Sequence, residues 1–146
     1  MNEMEGVLSL LGLAKKAGRL EVGEEPVGGA ARAHDARLIL LASDAADNTV
    51  RRAKHFAEAG ACLCASIPAT KDELGRAVGR SQSAMLAVTD VGFAEAAAKK
   101  LAALDAARYG ELAEKLSVKA ARAAERKKEQ ARHDRNVRTG KKRNKK

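Results

Sequence analysis

The feature that most restricts how this chain can fold is an alternation. A short extended piece at residues 20–22 and short, largely apolar runs at 37–42, 61–65 and 84–89 are separated by segments whose apolar residues recur at helical spacing. The run at 37–42 (RLILLA) has the continuous apolarity of a central strand buried on both faces. Before the first run, residues 3–17 set Met4, Val7, Leu8, Leu11 and Ala14 on one helical face. Lys15 and Lys16 fall in the last turn, where cations complement the helix dipole, and Gly18 follows as a stop. Lys15, Lys16 and the nearby Arg19 read as a solvated helix end.

Gly23 opens a second helix, with Glu24 and Glu25 in its first turn and Pro26 just inside, where a missing N–H costs nothing. Asp47 or Asn48 can cap a third helix running to about residue 59, with Gly60 as its terminator. Thr70 caps a fourth over residues 71–78, and Glu73 completes a capping box. Asp90-Val91-Gly92 turns into a fifth that ends near Leu104. The order α-β-α-β-α-β-α-β-α predicts an α/β fold, a three-layer α/β/α sandwich around a four-stranded mixed sheet.

Two domains of different character are expected. Residues 1–107 form the layered body, with 13 Lys and Arg against 14 Asp and Glu, a net charge of −1. Residues 108–146 form a basic tail, with 15 against 5, a net +10 that accounts for the whole excess of +9. Residues 111–131 carry Leu112, Leu116 and Ala120 at four-residue steps, with the opposed pair Glu111 and Lys115, a pattern compatible with a helix. Residues 138–146 are a like-charge run expected to be disordered. A tail of this charge attracts polyanions in a salt-dependent way, so selectivity must come from the body. Aromatic residues are only 2% of the chain (Phe56, Phe93, Tyr109), which leaves almost no platform for stacking unpaired bases. If it binds nucleic acid, it should read shape, backbone and base edges.

Several other classes lack their signatures. Cys62 and Cys64 are spaced C-x-C, which on a strand puts both thiols on one face, but His34, His55 and His133 stand at no ligand spacing from them. No metal and no cofactor are expected, and the thiols read as reduced and partly buried. There is no nucleophile elbow, Walker loop or dinucleotide fingerprint, and Asp44 and Asp90 after their strands are as good caps as catalysts, so no enzyme is expected. Glu3 and Glu5 stand where a signal peptide is basic, and no apolar run approaches ~20 residues. A cytoplasmic protein without membrane contact, and a monomer, is expected.

Five stretches in order carry a family resemblance: 13–18 (LAKKAG), 22–25 (VGEE), 36–44 (ARLILLASD) with Asn48-Thr49 beyond, 72–79 (DELGRAVG) and 87–94 (AVTDVGFA). Together they resemble the bacterial YlxQ-type branch of the kink-turn-binding ribosomal proteins, relatives of the archaeal large-subunit protein L-seven-Ae, over about residues 4–104. The resemblance implies a three-layer fold that binds structured RNA, ribosomal RNA among the possibilities, along one edge. It implies that the start of the second helix enters an RNA groove beside sheared G·A pairs, while the loop before the last strand meets an extruded nucleotide. By position, Gly23, Glu24 and Glu25 fall at that helix start, Arg80, Ser81, Gln82 and Ser83 in that loop, and Asp44 at the acidic position after the second strand. Glu24 and Glu25 either read base edges or only complement the helix dipole. Gly28-Gly29 stand where the family commonly has a lysine, Pro26 occupies a usually polar position, and Glu25 replaces an amide or lysine. These departures leave a rival reading, a protein-interaction module that has lost specific RNA readout and binds RNA non-specifically through its tail.

Overall fold

The computed structural model describes residues 3–139. Along the chain run α1 (Glu3–Lys16), β1 (Leu20–Val22), α2 (Glu24–Arg32), β2 (Leu38–Leu41), α3 (Asp47–Gly60), β3 (Leu63–Ser66), α4 (Lys71–Ala77), β4 (Met85–Val88), α5 (Val91–Leu104) and α6 (Ala106–Thr139). The sheet has the order β1-β4-β2-β3. β4 is antiparallel to both β1 and β2, and β3 is parallel to β2, so the sheet is mixed as expected.

Alternation along the central strands divides the core into two layers. Leu38, Leu40, Leu86 and Val88 face one side, where Val7 and Leu11 of α1, Leu74 of α4 and Leu101 of α5 cover them. Ile39, Leu41, Met85 and Ala87 face the other, against Val27 of α2 and Ala53 and Ala57 of α3. β2 and β4 are buried at every residue, which is what their unbroken apolar runs require. The molecule is therefore a three-layer α/β/α sandwich.

Two helix ends differ from the sequence expectation. Neither Asp47 nor Asn48 caps α3: its N-cap is Ala46, which makes no side-chain hydrogen bond, and Asp47 is already the first helical residue. Its carboxylate there complements the dipole from within the first turn instead. At the other end the left-handed residue is Ala61 (φ 52°), not Gly60. Gly60 is needed for another reason, since a Cβ on it would come 2.8 Å from the Ala31 carbonyl oxygen of α2. The capping box is present as expected: the Glu73 N–H donates to Thr70 Oγ1 (3.2 Å), and the Thr70 N–H to Glu73 Oε1 (2.8 Å).

The largest difference lies in the tail. α6 is one helix of 34 residues, about 50 Å long, and it reaches through Arg138, which was expected in a disordered run. The rest of that run, residues 140–146, lies outside the described residues. Tyr109 and Leu116 belong to the core cluster on the α5 side of the sheet, so the core continues past residue 107. The Tyr109 hydroxyl donates to the Ser66 carbonyl (2.7 Å), Arg108 donates to the same oxygen (3.2 Å), and Ser117 donates to Glu95 of α5 (2.9 Å). Beyond Ala123 every described α6 residue through Arg138 is exposed.

Cys62 and Cys64 share the α3 side of the sheet and are both free thiols. Burial pushes the Cys64 thiol up to about 11, helped by Cys62 and opposed by Lys54. Burial also raises Cys62, but Lys119 and Arg37 pull it back. Near pH 8 Cys64 is held as the thiol rather than the reactive thiolate. Iodoacetamide is therefore expected to label Cys62 well before Cys64, as peptide mass spectrometry would show; equal rates would contradict this ordering.

Candidate nucleic-acid interface

The sheet register brings the implied RNA-contacting segments to one end. β1 and β4 run antiparallel with Val22 opposite Leu86, so the chain leaving β1 meets the chain entering β4. The Gly23 N–H donates to the Met85 carbonyl (3.0 Å), which fixes the start of α2 beside the loop 79–83. Gly23 has φ 99° and ψ 160°, a conformation reserved almost entirely for glycine. As the N-cap it provides no side-chain cap, and Pro26 has no N–H to be capped. The first turn of α2 thus has no side-chain cap for its main-chain donors at the positive dipole end, with the Glu24 and Glu25 carboxylates on the same turn.

The loop before β4 is held from beneath. A Cβ on buried Gly75 would lie 2.7 Å from both the Gln82 nitrogen and Cα, so the loop backbone rests directly on α4. The Ser83 N–H donates to the Lys71 carbonyl (3.0 Å), and Gln82 Nε2 donates to Asp72 (3.1 Å). Ser83 is 6% exposed and its hydroxyl donates to the Met85 carbonyl (3.4 Å), so it is an anchor of the loop. Arg80, Ser81 and Gln82 are exposed and form its outer surface.

The acidic residues divide into three roles. The Asp44 carboxylate accepts the Lys71 N–H at the start of α4 (2.8 Å), tying the chain after β2 to that helix. Glu24 is half-buried and bridges to α3, accepting from Thr49 Oγ1 (3.4 Å) and from Arg52. Glu25 is exposed on the same first turn. The sequence offered base reading or dipole compensation for Glu24, and the cross-helix bridge is a third role that it did not suggest. Thr49 and Arg52 were missed as neighbours of this end because their partner lies on another helix, and no local pattern marks the pairing.

Gly28 has a packing reason. A Cβ there would meet two ring carbons of Phe56 at 2.8 and 3.1 Å, and Arg32 Nη1 at 3.2 Å. No long side chain fits while Phe56 occupies that surface. Gly29 has nothing within 4 Å of its Cβ position and faces out. Among the described residues no group of His, Cys, Asp and Glu could hold a metal, and no helix is long and apolar enough to cross a membrane.

Residues 5–98 match the model of the ribosomal protein L7Ae/L30e/S12e/Gadd45 family. The chain belongs to this family. Among L7Ae-family relatives, the RNA-binding protein YlxQ of Bacillus subtilis (strain 168) is 37% identical over 89 residues, covering 58% of this chain and 84% of YlxQ. A solved structure of a protein of unknown function from Bacillus halodurans C superposes with a TM-score of 0.60 at 32% identity, covering 65% of this chain and 95% of that one. The 15.5kD RNA binding protein of Giardia lamblia shares the fold, with a TM-score of 0.55 at 17% identity over 71% and 88% of the two chains. Together these place the chain in the YlxQ-type branch of the L7Ae family, and the part they cover is the layered body.

Proposed function

We propose that this protein binds structured RNA of the kink-turn kind, as an accessory or ribosome-associated factor, through the sheet end formed by Gly23 to Glu25 and the loop 80–82. The observation that carries this reading is the hydrogen bond from Gly23 to Met85, which sets an uncapped helix start against an exposed polar loop. The L7Ae-family fold and the similarity to an RNA-binding protein of Bacillus subtilis support it. In this reading the first turn of α2 offers main-chain donors to an RNA groove. Arg80 and Gln82 supply side-chain contacts, since an arginine can pair with guanine and an amide with adenine. Ser83 and Asp44 hold the surface in shape from behind, and Glu24 positions α2 against α3.

The test is a titration at ~0.15 M salt, comparing a kink-turn RNA with a G·A-disrupted control. The full-length protein is expected to prefer the intact kink-turn by at least about tenfold, and the Arg80→Ala/Gln82→Ala double variant to lose most of that preference, about 1–3 kcal/mol per good base contact. Equal affinity for the two RNAs would sink the reading in favour of a docking module whose RNA affinity is purely electrostatic.

A further inference from the structure

The opposite end of the sheet carries a second charged feature. Leu20, Leu38, Leu63 and Val88 lie side by side there, which puts Arg19, Arg37 and Cys62 at that end, roughly 13 Å of strand away from Gly23 and Ser83. α6 passes this end and leaves a groove of about 1120 Å³ between itself and the body. The groove is lined by Arg19 and Arg37 from the body and by Lys119, Arg122, Arg126 and Lys127 from α6. All six are exposed, and among the described residues none is in an ion pair. The lining contains one carboxylate, that of Asp90, which already accepts the Phe93 N–H as the cap of α5 (3.0 Å).

The charges on α6 are sorted by face. Glu125 and Glu129, from the same turns as Arg122 and Arg126, do not line the groove. Six cations facing one another across a gap repel unless an anion lies between them. Lys119 to Lys127 span about 12 Å of helix axis, which suits a run of phosphates better than a single one. No Phe, Tyr or Trp lines the groove, and its one imidazole, His34, lies with Nδ1 3.4 Å from the Gly60 carbonyl, so it offers little for bases to stack on. The influence of both Lys119 and Arg37 on the Cys62 thiol agrees with the two walls converging there.

We propose that this groove is a second RNA site, gripping the phosphodiester backbone of the RNA segment that flanks the motif held at the Gly23 end. The inference rests on RNA being the ligand, and it assigns α6 and the far sheet end a joint role that neither has alone. The tail is then no diffuse tether, because two of the groove's six cations, Arg19 and Arg37, belong to the body.

The test uses full-length protein and a kink-turn RNA with a long flanking stem, titrated between 50 and 200 mM salt. The triple variant Arg37→Gln/Arg122→Gln/Arg126→Gln is compared with Lys99→Gln/Lys115→Gln/Lys128→Gln, which removes equal charge outside the groove. The groove variant is expected to lower the slope of log affinity against log salt by about 2.7, so the wild type loses about 40-fold more affinity than it across that range. The control triple should leave the slope near the wild-type value. Equal slope changes for the two triples, or no change for either, would overturn the groove. Preference for the intact kink-turn is read separately as a ratio: if that ratio is one while the groove variant still flattens the slope, the Gly23-end reading fails and the groove stands.

Discussion

A chain carrying Leu116→Ala is expected to unfold with about 2–5 kcal/mol less stability than the wild type. Leu116 is fully buried among the side chains that cover the α5 side of the sheet, although it lies in the segment whose composition reads as a basic tail. Removing its isobutyl group leaves a cavity between α6 and the body, which the surrounding helices close only in part. Val118, two residues on and 46% exposed, is the matched control, and Val118→Ala should change stability by no more than about 0.5 kcal/mol. Urea unfolding of the two variants gives both values. Equal midpoints would show that α6 does not pack on the body. The same geometry warns against isolating the body by cutting at residue 107, because that cut removes Tyr109 as well as Leu116 from the core.

The second large effect is expected at Gly75. A methyl group there meets main-chain atoms of Ser81 and Gln82 at 2.8 Å and below, and backbone cannot swing aside as a side-chain tip can. Gly75→Ala should therefore cost about 1–3 kcal/mol and lift the loop that carries Arg80 and Gln82. Kink-turn preference is expected to fall with it by about tenfold, within the ~1–3 kcal/mol that a good base contact supplies. Gly29→Ala is the informative partner. Its Cβ meets nothing, and replacing glycine by alanine inside a helix stabilises by about 0.5–1 kcal/mol. If Gly75→Ala stays as stable as Gly29→Ala and keeps the preference, the loop does not depend on this contact.

The sandwich was legible because its signals are local. Short apolar runs such as LILL and MLAV, bounded by turn residues, have the length and composition of buried strands, and the Thr70–Glu73 box and the Asp90 cap operate within a single turn. At Gly60 a tertiary contact decided the matter, the close approach to Ala31, whereas α3 simply starts one residue earlier than a cap at Asp47 would place it. The candidate site was legible as a set of segments and not as a set of roles. Gly23, Glu24, Glu25 and residues 80–83 do gather at one sheet end, yet Ser83 and Asp44 are anchors and Glu24 is a bridge. Those roles depend on Lys71, Thr49 and Arg52, which are distant in sequence. Gly28-Gly29 likewise looked like one gap in the pattern, but the Phe56 ring packs against the first glycine and leaves the second free. The groove was hidden most deeply, since Arg19 and Arg37 are unremarkable until α6 is placed beside them.

The hydrogen bonds from Arg108 and Tyr109 to the Ser66 carbonyl have a consequence for self-association. β3 is an edge strand only half-covered by its neighbours, and an open edge offers unpaired main-chain groups on which a strand from another molecule can add. Tyr109 and Arg108 occupy the last carbonyl of that edge, and the first turns of α6 lie alongside Leu63 to Ser66. The opposite edge, β1, is only three residues long, too short to template much. The first turns of the basic helix thus stand guard over one edge of the sheet, and while they remain docked the Ser66 carbonyl is closed to an incoming strand.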